Sequence, residues 1–69
     1  MATFNYFYLD ISTNHAVNLL SENISPKRYH HHNRQGGEGW SVEHQNGRTR
    51  ITLSSDYDES VITLMLLKA

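Results

Sequence analysis

Residues 40–54, Trp40-Ser-Val-Glu-His-Gln-Asn-Gly-Arg-Thr-Arg-Ile-Thr-Leu-Ser54, decide the fold. Asn46-Gly47 separates two alternating runs, and a two-residue type I′ turn needs positive φ at both of its central positions, which Asn and Gly tolerate best. Such a turn pairs Gln45 with Arg48, and therefore Glu43 with Arg50, Val42 with Ile51, Ser41 with Thr52 and Trp40 with Leu53. Apolar residues then meet apolar ones on one face, while Glu43 meets Arg50 on the other. A slip of one residue would mix the two faces.

Upstream, residues 3–11 are rich in aromatic and β-branched side chains and read as a strand. One of its faces carries Phe7, Leu9 and Ile11, the other Phe4, Tyr6, Tyr8 and Asp10. Residues 14–25 read as a helix, with Ser12, Thr13 or Asn14 as its cap. Its apolar stripe is Ala16, Val17, Leu20 and Ile24, widened by Leu19. Pro26 stops it, because proline lacks an N–H and its ring clashes with the preceding turn. Residues 27–39 read as a basic, histidine-bearing loop, since Gly36, Gly37 and Gly39 interrupt any regular pattern. A loop this long in a small domain is the natural place to look for function.

Residues 60–67 hold the apolar run Val61–Leu67, which reads as a strand led by the β-branched Val61, Ile62 and Thr63. The alternative is a helix, started by a capping box of Ser55 with Asp58 or Asp56 with Glu59, with Tyr57, Val61, Leu64 and Met65 on one stripe. The expected fold is a single α+β domain over residues 1–69. It has a mostly antiparallel sheet of about four strands in the order β-α-β-β-β, with one helix on one face. One short helix leaves the second face to solvent or a partner, and an aromatic face is poorly suited to solvent.

Composition narrows the function. The 69 residues contain no cysteine, which removes disulfides and thiolate chemistry. Together with the absence of a signal-peptide pattern, this makes the cytoplasm the expected location. The longest apolar run, seven residues, falls far short of the roughly 20 needed to cross a membrane. Net charge is −1 but unevenly placed: residues 27–50 carry +3 and the remainder −4. A bipolar surface suits a partner with its own charge pattern.

Several residue sets are candidate sites. Phe4, Tyr6, Tyr8 and Tyr29, with Arg28 and Arg34, would bind a protein partner, because Tyr and Arg carry much of the energy at interfaces. Lys27, Arg28, Arg34, Arg48 and Arg50 would instead contact phosphates while the aromatics stack on bases. His30, His32 and His44 are weak metal candidates: adjacent residues of an extended chain point to opposite sides, so the contiguous triplet does not readily supply three converging ligands, but His30 and His32 can share a face, with Glu38, Glu43 or His44 completing the set. Gly36-Gly37-Glu38-Gly39 lacks the spacing and the lysine of a phosphate loop, and no catalytic constellation stands out.

The expected function is therefore that of a non-enzymatic small protein-binding module without a cofactor. It would inhibit or modulate a larger protein complex, as a phage or mobile-element protein of the anti-CRISPR kind acts on host defence machinery. A second copy of the chain is a further partner, nucleic acid binding is the alternative function, and metal binding through the histidines comes after it.

Overall fold

The structure, a computed structural model, describes residues 4–57 and 59–68. It is an α+β fold: strands β1 (Phe4–Leu9), β2 (Lys27–His31), β3 (Arg34–Gly37), β4 (Trp40–Gln45) and β5 (Arg48–Ser54), with helices α1 (Thr13–Asn23) and α2 (Glu59–Lys68). The strands form one antiparallel sheet in the order β1-β5-β4-β3-β2.

The β4–β5 hairpin has the register read from its alternation, from Gln45 opposite Arg48 to Trp40 opposite Leu53. Asn46 and Gly47 take φ values of 54° and 76°, as a type I′ turn requires. Trp40, Val42, Ile51 and Leu53 all face the helices and are buried. α1 adds Ala16, Val17 and Leu20 to this core, and α2 adds Ile62 and Met65, with Phe7, Leu9 and Ile11 packed at its margin. Ser12 caps α1, its hydroxyl accepting from the His15 N–H at 3.0 Å, and the helix ends at Asn23, before Pro26. Thr49, buried in β5, donates to the carbonyl of Ile11 and so ties the β1–α1 connection to the sheet.

The sheet has five strands rather than four, because the stretch expected to be a loop over residues 27–39 is largely a hairpin of β2 and β3. Its glycines act as close-approach positions instead of breakers. A Cβ on Gly37 would lie 2.5 Å from Trp40 Nε1 and 2.6 Å from the Pro26 carbonyl oxygen. The indole that excludes it is held in place by Nε1, which donates to the Ser25 carbonyl at 2.8 Å. Gly39 has φ 89° and makes the tight turn into β4.

Residues 60–67, expected to be a strand, instead form helix α2. The reason is spatial. One 11-residue helix cannot cover the inner face of a five-stranded sheet, and the β1–β5 side would stay wet. A helix places Ile62 and Met65 against Leu9, Leu20 and Ile51 while satisfying its own backbone. Leu64 through Leu67 are also good helix formers. Of the stripe expected for a helix here, Met65 is buried and Val61 half-buried, but Leu64 points to solvent. Both expected capping boxes involve Asp58 or the Glu59 side chain, which lie outside what is described, as does Thr3 at the start of the first expected strand.

Two glycine substitutions separate conformational from steric cost. Gly47→Ala places a Cβ in open space, so its effect is the left-handed backbone alone, and urea denaturation should show a loss of about 1 kcal/mol. Gly37→Ala must displace the indole or the Pro26 carbonyl, and should cost roughly 1–3 kcal/mol with a shifted emission from Trp40, the chain's single tryptophan.

Candidate interaction face of the sheet

Both helices pack on one side of the sheet, and among the described residues no element covers the other, bare side. Its composition comes from strand parity, because residues directly opposite across a ladder share a face. One transverse row runs Tyr29, Gly36, Ser41, Thr52, Tyr6 from edge to edge. The next runs His31, Arg34, Glu43, Arg50, Tyr8. The first is small in the middle and aromatic at both ends; the second alternates charge.

The aromatics of β1 are exposed here: Phe4 by 54%, Tyr6 by 61% and Tyr8 by 39%. The rings of Tyr6 and Tyr8 meet edge to face at 6.1 Å. Each carries an arginine from β5, Arg50 over Tyr6 and Arg48 over Tyr8, both with the guanidinium carbon 5.9 Å from the ring centre. The arginines are also ion-paired, Arg50 with Glu43 at 2.9 Å and Arg48 with Asp10 at 3.4 Å. The face is thus a lattice of tyrosine rings and arginine side chains held in place by two carboxylates.

At the opposite edge Tyr29 lies across the sheet over Gly36. A Cβ on Gly36 would sit 2.5 Å from Tyr29 Cζ, so glycine is what lets the ring lie down. Between Tyr29 and Phe4 the small residues leave a trough of about 270 Å³, with Ser41 and Thr52 among its lining and Arg34 beside it. Arg34 makes no ion pair among the described residues.

The structure divides the expected site residues. Phe4, Tyr6, Tyr8, Tyr29 and Arg34 share the bare face; Arg28 sits in the β-bulge between Lys27 and Tyr29 and pairs with Glu38 at 3.7 Å. Of the expected phosphate-binding set, Arg34, Arg48 and Arg50 share this face. Lys27 does not, since it aligns with Gly37 and Trp40 on the helix side and donates to Gln35 Oε1 at 3.3 Å.

The three histidine candidates do not converge: His30 and His32 are neighbours through a backbone contact, and His44 stands apart on β4. His30 and His44 belong to the helix-side parity at separate strands, and His32 sits in the β2–β3 turn with φ 56°. His30 Nε2 lies 3.1 Å from the His32 carbonyl oxygen, and among the described residues no group of three or more His, Asp or Glu is spaced to hold a metal ion. No described helix is long and apolar enough to cross a membrane.

Gly36, Ser41 and Thr52 were not among the expected site residues. Ser41 and Thr52 already stand opposite each other in the hairpin register, but Gly36 joins them only through the β2–β3 hairpin.

Gly36→Ala tests this architecture. The methyl should lift Tyr29 off the sheet, seen as loss of ring-current shifts on neighbouring amides. Stability should fall by less than for Gly37→Ala, because the displaced group is a half-exposed side chain and not a buried indole. No family model, curated protein or solved structure matches this chain, so its function has to be read from the bare face itself.

Proposed function

We propose that this chain is a non-enzymatic protein-binding module that presents the bare face of its sheet to a larger protein partner. The observation that supports this is the gathering of Phe4, Tyr6, Tyr8 and Tyr29 with Arg34, Arg48 and Arg50 on the one face that no helix covers. Tyrosine and arginine are the residue types that supply binding energy at protein interfaces, being large, partly apolar and able to hydrogen-bond at their tips. The cation–π and ion-pair contacts hold these side chains near fixed positions before any partner arrives, which lowers the ordering cost of association. A module of this kind acts by occupying a surface, hence by inhibiting or modulating the assembly it joins. The proposed setting is the cytoplasm, with host defence machinery as the target of a phage or mobile-element protein. A second copy of the chain is the other protein that the face accommodates.

A second reading, nucleic acid binding, has one observation in its favour: three arginines and four aromatics share a sheet face, the arrangement on which bases stack and phosphates pair. Against it stand the carboxylates of Glu43 and Asp10, which already engage two of those arginines, and the position of Lys27 on the other side.

Affinity capture from cell extract with the intact chain, followed by mass spectrometry, separates the two readings. Tyr6→Ala and Tyr8→Ala should each abolish capture of the protein partner while circular dichroism and Trp40 emission stay native, since both side chains are exposed. Capture should survive nuclease and change little between 50 and 200 mM salt. Phosphate-driven binding through six or more contacts would fall by roughly 10³-fold or more over that range, and such a collapse would transfer the assignment to nucleic acid. Unfolding of either variant would place the tyrosines in the core and remove the basis of the proposal.

A further inference from the structure

We propose that the trough between Tyr29 and Phe4 binds an acidic peptide segment of a protein partner, with Arg34 receiving its carboxylate. This rests on the protein-binding reading and specifies what the partner presents.

The charge of the face selects the ligand. Arg48 and Arg50 are taken by Asp10 and Glu43, whereas Arg34 has no carboxylate within ion-pair distance among the described residues. Glu43 stands directly opposite Arg34 across the β3–β4 ladder, yet its Oε1 is bonded to Arg50. Arg34 is therefore the unpaired cation of the described bare face, at the side of a trough and not on a ridge. A guanidinium offers a planar fork of donors that matches a carboxylate bidentately. Ser41 and Thr52, in the same lining, bring hydroxyls, and Phe4 and Tyr29 bring apolar surface.

Size and charge density then favour a peptide over a polyphosphate. The trough of about 270 Å³ takes one or two side chains, while the rest of an extended segment would lie along the open face. A single unpaired arginine beside the Glu43–Arg50 pair suits one isolated negative charge; a run of phosphates crossing the sheet towards β1 would meet Glu43 and Asp10 as well. The occupant that fits is an extended segment with one acidic residue at Arg34 and an apolar or aromatic residue between Phe4 and Tyr29.

The test is a titration of the full chain, isotopically labelled, followed by amide chemical shifts. The probes are a blocked hexapeptide with a single glutamate and a leucine among serines, its glutamine counterpart, and hexauridylate. The expected result is shifts at Gly36, Gly37, Ser41 and Thr52 with the glutamate peptide, at least tenfold tighter binding than for the glutamine peptide, and loss of that difference in Arg34→Gln. Arg34 is exposed, so this variant keeps its fold.

Equal binding of the two peptides at these residues would overturn carboxylate recognition and leave the protein-binding face standing. Shifts with hexauridylate and neither peptide would overturn both. Silence from all three probes to millimolar concentration would overturn the acidic-segment proposal alone, because the dependence of partner capture on Tyr6 and Tyr8 decides the broader reading separately.

Discussion

The register of the β4–β5 hairpin governs every other face assignment in the molecule. Its two-residue turn, with positive φ at Asn46 and Gly47, leaves no freedom to slide. From that register, parity passes by ladder pairing to β1 on one side and to β3 and β2 on the other. A slip of one residue would aim Glu43 and Arg50 at the helices and Val42 and Ile51 at solvent. The burial of Val42, Ile51 and Leu53 is thus the same fact as the exposure of the arginines on the opposite face.

Coverage is the second constraint. Two helices of 11 and 10 residues reach only one side of a five-stranded sheet. On the covered side the indole of Trp40 packs down onto Gly37; on the bare side the phenol of Tyr29 packs down onto Gly36. Adjacent glycines on alternate faces each accept one aromatic ring, which is why a glycine pair can sit inside a strand and support it.

The ion pairs of the bare face act mainly through geometry. Arg48 and Asp10 are more than half exposed, and a surface pair of that kind stabilises a fold by about 0–1 kcal/mol at most. The same contacts fix two guanidinium groups above two phenol rings and consume their charge, leaving Arg34 as the cation beside the trough. Held aromatics, ion-paired arginines and one unpaired guanidinium are the features on which the proposed protein ligand rests.

Local sequence sufficed for the hairpin and its register, for the division of β1 into a Phe7–Leu9–Ile11 face and a Phe4–Tyr6–Tyr8 face, and for the stripe and stop of α1. Each is carried by alternation, helical spacing or a turn residue within a few positions. Residues 27–39 were settled by strand pairing, and residues 60–67 by contacts distant in the chain. Gly36 and Gly37 look like breakers until the rings of Tyr29 and Trp40 are seen lying on them, and those contacts depend on pairing between strands. The run Val61–Leu67 is apolar enough for a buried strand or a helix. The uncovered inner face near β1 and β5 selected the helix, because burial is a property of the whole fold and not of seven residues.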